Sequence, residues 1–166
     1  DLLAFLNGSG APAKSFPGNK PVQIKPDANG AIQLLPKDCE IYGDTLVLEE
    51  HYGNLGYWQS DNDHAVWNLD LPKGGAYDLW MDWAELGEKP RNKVRTGGDG
   101  VTFQAGIPGP GTCDEYRQAK LGKLQLKAGP QRLTFSGVSP LEGAILDLRE
   151  VRLVPENQNT KFKTNK

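Results

Sequence analysis

The stretch Trp67–Ala84, WNLDLPKGGAYDLWMDWA, decides the fold of this chain. Trp67, Leu69 and Leu71 share one face of a first strand, and Asn68 and Asp70 take the other. Tyr77, Leu79, Met81 and Trp83 share one face of a second strand, opposite Asp78, Trp80 and Asp82. Side chains alternate with period two along a strand, so each has one buried and one wet face. Pro72-Lys73-Gly74-Gly75 supplies the turn chemistry between them. The pattern predicts an all-β, antiparallel sandwich or barrel, with Trp80 as an apolar side chain on a wet face.

The rest of the chain agrees with many short strands. Gly 20 and Pro 12 in 166 residues punctuate it at short intervals. Strands are expected at Ala31–Leu35, Glu40–Tyr42, Thr45–Glu49, Val101–Ala105, Arg117–Leu121, Lys123–Leu126, Arg132–Phe135 and Ala144–Val154. HYGNLGYWQSDND reads as a loop, and so does Glu85–Gly98. In the last strand Leu146 and Leu148 have one parity and Val151 and Leu153 the other, so a β-bulge is expected near Arg149-Glu150. Before all this, Asp1–Leu6 reads as the end of an amphipathic helix. The run from Gly8 to Gly30 reads as an extended linker. The compact domain is therefore expected over residues 30–155, preceded by residues 1–29 and followed by a polar, basic tail at 156–166.

Several function classes fall away. A net charge of -2 offers no polyanion surface, so no nucleic-acid partner is expected. No apolar run approaches the ~20 residues that span a bilayer. No CxxC, CxxCH or HExxH occurs, which leaves no zinc or haem motif in this segment. Cys39 and Cys113 allow either a disulfide or two separate buried thiols. The serines lie outside any GxSxG, and the glycine groups at 97–100 and 106–111 read as turns instead of phosphate cradles. Asp61, Asp63, Asp78, Asp82 and Glu85 read as solvated carboxylates, because acid–base work needs a desolvated cleft. The chain is expected not to be an enzyme.

Two binding chemistries remain. Asp38, Glu40, Asp44, Asp61, Asp63 and Asp147 are loop oxygen donors that suit calcium, or are simply turn-forming residues. Aromatic side chains near loops suit sugars, whose C–H faces stack on rings while Asp, Asn or Arg take the hydroxyls. Trp67 and Trp83 are assigned to the core. Trp58 and Trp80 read equally as core or as contact surface.

Gly30–Pro155 resembles the galactose-binding-like jelly rolls found as carbohydrate-binding modules of families six and thirty-five. DCEIYGDTLVLEE with LGYWQSDNDHAVW, then GGAYDLWMDWA, then LQLKAGPQRLTF with GAILDLREVRL carry the likeness. GYWxSxxDxxxW and GAILDLREVRLVP also resemble accessory sandwiches of secreted bacterial sulfatases and fucosidases, and of c-type cytochrome proteins of planctomycete type. DLLAFL is similar to the last helix of such a cytochrome domain, whose haem motif would lie upstream. The resemblance implies a non-catalytic carbohydrate-binding accessory module of an exported, periplasmic or extracellular multidomain protein. The alternative is a structural domain docked on an upstream redox or hydrolase domain. Tyr57, Trp58, Trp80, Asp82 and Asp99 are the expected ligand contacts. Asp38, Glu40 and Asp147 are the expected calcium ligands, Asp147 by its match to the family's terminal calcium aspartate. Where those modules carry Glu-x-Glu in the first strand, this chain has Leu35-Pro36-Lys37, and Ile145 replaces a sugar-binding Asn.

Overall fold

The structure, a computed structural model, describes residues 11–84, 92–98, 101–106 and 116–156. Within them the strands are Gln23–Ile24 (β1), Ile32–Leu34 (β2), Glu40–Tyr42 (β3), Val47–Glu49 (β4), Asn54–Gly56 (β5), His64–Leu71 (β6), Gly75–Ala84 (β7), Lys93–Gly98 (β8), Val101–Gly106 (β9), Arg117–Leu126 (β10), Gly129–Gly137 (β11) and Asp147–Pro155 (β12). They form two sheets packed face to face. The first runs β1-β6-β11-β8-β9, with β3 also on β6. The second runs β10-β7-β12-β5-β4, with β2 also on β12. Every pairing is antiparallel except β1 on β6. This is the expected antiparallel sandwich of jelly-roll type.

The deciding stretch builds the core in an unexpected way. Its two strands do not pair with each other: β6 belongs to the first sheet and β7 to the second. The turn at Pro72–Gly74 is therefore an arch across the sandwich. The arch sets the inward faces opposite one another, so Trp67, Leu69 and Leu71 meet Tyr77, Leu79, Met81 and Trp83 in one buried cluster. Gly74 is required for the arch to close, since a Cβ there would lie 2.8 Å from the Leu126 carbonyl oxygen. Trp67 is fully buried, and its Nε1 donates to the Leu35 carbonyl at 2.8 Å. Truncating such a side chain costs about 3–5 kcal/mol.

The bulge near Arg149-Glu150 is present. The register of β12 on β7 shifts between Leu148 and Glu150, which returns Leu148, Val151 and Leu153 to the core. A second shift between Lys120 and Gly122 lets two expected strands run as one, β10. Other expectations are corrected. The loop after Glu50 contains β5, and the loop before Gly98 contains β8. The last strand starts at Asp147 and not at Ala144.

The expected linker is also part of the sandwich over much of its length. Lys14 bridges to Ile41, β1 pairs with β6, and Lys14 Nζ donates to the Leu46 carbonyl at 2.6 Å. Lys20 and Val22 donate backbone N–H groups to Lys37 and Asp38. A stretch without periodicity found its partners outside itself. Cys39 is a free, buried thiol that donates to the Pro36 carbonyl. Cys113, the helix expected at Asp1–Leu6 and the tail beyond Glu156 lie outside the described residues.

Candidate functional site

β7 lies near the centre of the second sheet and turns Asp78, Trp80 and Asp82 outward, as its alternation predicts. Cross-strand register sets Trp80 between Lys120 of β10 and Arg152 of β12, and Asp82 between Gln118 and Glu150. The charges on this face are paired. Lys120 meets Asp78 at 3.1 Å and Arg152 meets Glu150 at 2.6 Å. Arg149 holds Asp82 with two hydrogen bonds, Nε to Oδ2 at 3.0 Å and Nη2 to Oδ1 at 3.2 Å. The same guanidinium lies 4.0 Å over the ring of Tyr116. Burial, then the Asp147 carboxylate, push the Tyr116 phenol up to about 12, with Arg149 opposing them. Asp82 is only 7% exposed, so its charge is held by Arg149 instead of by water. A shallow surface dip, with no room to enclose even a water-sized sphere, follows Trp80, Asp82, Gln118, Glu150 and Arg152.

Further along β12 the face changes character. Asn54 and Gly56 of β5 and Glu49 of β4 surround the start of β12 at Asp147. Asn54, itself buried, donates Nδ2 to Glu49 Oε1 at 3.0 Å. A Cβ built on Gly56 would lie 2.0 Å from Glu49 Oε1 and 3.2 Å from Asp147 Oδ1, so both carboxyls converge on that vacant position. Burial, with the Glu49 charge added, pushes Asp147 up to about 6. Glu49 was not among the expected site residues. Its parity with Val47 marks it as outward, but only the long-range pairing of β5 with β12 brings it to Asp147.

The other expected residues separate. Tyr57 follows Gly56 and is 59% exposed, with a backbone φ of +57°. Trp58 is a correction: it is 1% exposed, packs edge-on to Phe135 and donates Nε1 to the Asp63 carbonyl at 3.1 Å. It fills the core and presents no ring to a ligand. Asp99 lies outside the described residues.

The expected calcium ligands do not assemble either. Glu40 stands on the outer face of the first sheet, where it accepts from Tyr42, Asn68 and Arg132. Burial opposes its charge, but these donors hold it below the ordinary carboxylate value. Asp38 sits in the one-turn helix Pro36–Asp38, and Asp147 belongs to the opposite sheet. Among the described residues no three acidic, histidine or cysteine side chains gather around one point. Glu49 and Asp147 instead form a pair of carboxyls around the Gly56 position, apart from Asp38 and Glu40.

The loop aspartates have structural work instead. Asp63 accepts from the N–H groups of Asp44, Thr45, Gln59 and Ser60 and from the Thr45 hydroxyl. Asp44 accepts from Ser60 and Asn62, and Asp61 from the Leu141 N–H.

Comparison with known proteins finds relatives of fold. No family model matches the chain, and no curated protein matches it. Among solved structures, a family 35 carbohydrate binding module from Clostridium thermocellum superposes with a TM-score of 0.62 at 15% identity, covering 75% of this chain and 98% of that one. The Podospora anserina GH26-CBM35 β-(1,4)-mannanase gives 0.60 at 13%, covering 80% of this chain and 29% of that chain. The mosquito-larvicidal Cry4Aa toxin from Bacillus thuringiensis gives 0.63 at 11%, with 83% and 25% covered. The chain thus spans under a third of the mannanase and of the toxin. The shared property is the β-sandwich fold, which carries more than one function.

Proposed function

We propose that this chain is a non-catalytic carbohydrate-binding module, and that it binds through the outer face of its second sheet. The observation that carries this reading is Trp80, set on that face within a frame of three ion pairs: Asp78–Lys120, Asp82–Arg149 and Glu150–Arg152. Sugar hydroxyls both donate and accept, so a surface of fixed carboxylates and guanidiniums beside an aromatic ring matches both faces of a pyranose. The groups are held in place before the ligand arrives, which lowers the ordering cost of binding. The fold shared with family 35 modules supports the reading. The natural context is an accessory domain of an exported multidomain bacterial protein.

The test is a glycan array followed by affinity electrophoresis with soluble polysaccharides. Wild type is expected to be retained. Trp80→Ala is expected to bind about tenfold more weakly, the equivalent of about 1.4 kcal/mol. Arg149→Ala is expected to weaken binding as well. Retention of Trp80→Ala at full strength would move the site elsewhere. If wild type is retained by no glycan, the face is instead a seam to a neighbouring domain.

A further inference from the structure

The carbohydrate reading leaves open whether this face takes one terminal sugar or a longer run of chain. Resting on that reading, we infer that the ligand is an internal stretch of polysaccharide lying along β12, with Tyr57 at its far end.

The polar and aromatic groups are arranged in a line instead of around a hollow. Register gives their order: Asp147 opposite Ala84, Glu150 opposite Asp82, Arg152 opposite Trp80. Arg149, with Tyr116 under its guanidinium, lies between the first two levels. The step from the Ala84 level to the Trp80 level is roughly 13 Å at about 3.3 Å per residue. That is longer than a single pyranose ring. The depression at Trp80 is too shallow to enclose a sugar, so it selects no chain end.

Tyr57 extends the line beyond Asp147. It follows Gly56, whose vacant side-chain position lies 3.2 Å from Asp147 Oδ1. Strand alternation would send Tyr57 inward with Leu55. Its φ of +57° breaks the alternation, and the side chain emerges into solvent while Trp58 takes the buried place. A bulky residue in this conformation is strained by about 1 kcal/mol or more. With 59% of the residue exposed, burial does not offset that strain. The flanking backbone is held firmly, since the Ile145 N–H donates to the Trp58 carbonyl at 3.0 Å. An exposed ring on a rigid, strained turn is a preformed contact for a ligand that reaches past Asp147.

The experiment measures affinity against length, from mono- to hexasaccharide of manno-, xylo- and galacto-series, for wild type and Tyr57→Gly. Glycine tolerates the positive φ, so this variant keeps the fold and is expected to unfold at an equal or higher denaturant concentration. Wild-type affinity is expected to rise about tenfold or more from monosaccharide to hexasaccharide. Tyr57→Gly is expected to lower hexasaccharide affinity several-fold and leave trisaccharide affinity unchanged. A monosaccharide binding as tightly as the hexasaccharide would overturn the inference while leaving the carbohydrate reading intact. Equal weakening at every length in Tyr57→Gly would also overturn it. Absence of binding at any length in all three series removes both.

Discussion

Glu49 on β4 and Asp147 on β12 bring their carboxyls to one vacant position, the place a side chain on Gly56 would fill. Two like charges brought together and partly removed from water resist being ionised at once. Asp147 carries the result, a carboxyl raised to about 6, and burial is the larger of its two causes.

That elevation fixes a pH dependence. A carboxyl whose folded pKa lies above its unfolded value binds more protons in the folded state, so its contribution to stability falls as pH rises. The loss begins near the unfolded value of about 3.9 and is complete just above about 6. Asp147→Asn removes the ionisation. Its unfolding free energy in urea is expected to match wild type near pH 4 and to exceed it near pH 7, by on the order of 1 kcal/mol after allowance for solvent screening. Equal midpoints at both values would show that Asp147 titrates normally.

Gly56→Ala tests the pairing itself. The new Cβ cannot coexist with Glu49 Oε1 at 2.0 Å, so the Glu49 side chain must swing away and release Asn54. An unpaired buried amide costs about 1–3 kcal/mol. Asp147 is expected to titrate lower than in wild type by carbon-detected NMR. The drop should be partial, because burial persists. An unchanged Asp147 titration would show that Glu49 exerts no pull on it.

Asp63 presents a different kind of sensitivity. Burial disfavours its charge, yet the Thr45 hydroxyl and the backbone N–H donors prevail and hold its pKa below the ordinary value. Asp63→Ala leaves several part-buried donors without their acceptor and is expected to destabilise by about 2 kcal/mol in urea. Because this pKa is lowered, the contribution is present above the unfolded value and lost as pH falls through the folded one. A cost below about 1 kcal/mol would mean that water serves these donors equally well.

A chain beginning at Gly30, where composition places the domain start, is expected to be less stable than the full chain by a few kcal/mol. It would lose β1, the Lys14 bridge and the hydrogen bonds of Lys20 and Val22, and expose the edges of β3 and β6. Bare edges also promote association, so size-exclusion profiles should broaden. A wild-type midpoint in the short chain would restore residues 11–29 to the status of a linker.

What was legible in the sequence follows from what is local. Alternation located the inward Trp67 and Trp83 and the outward Trp80 and Asp82, because a strand's period is a property of its own backbone. The bulge at Arg149-Glu150 showed as a change of parity. The arch did not, because Pro72-Lys73-Gly74-Gly75 suits a turn within a sheet as well as one between sheets. Tyr57 and Trp58 are neighbours, and only the backbone dihedral at Tyr57 decides which is buried. Glu49 gave no signal, because its partner Asp147 arrives through a pairing distant in sequence. The expected calcium ligands Glu40 and Asp147 separate for a similar reason: they stand on opposite sheets, and nothing local in the sequence shows that.

The place of β12 bears on how the chain is made. This strand lies beside β7, β5 and β2, and it is the piece that joins them into one sheet. During synthesis β7 therefore lacks an edge partner, and the core cluster lacks Leu148, Val151 and Leu153, until β12 has left the ribosome. Pairings of such separation form slowly. The interval exposes Tyr77, Leu79, Met81 and Trp83 to chaperones or to other nascent chains. Chains truncated before Asp147 should thus accumulate as holdase-bound or aggregated species, with no partly working sandwich among them.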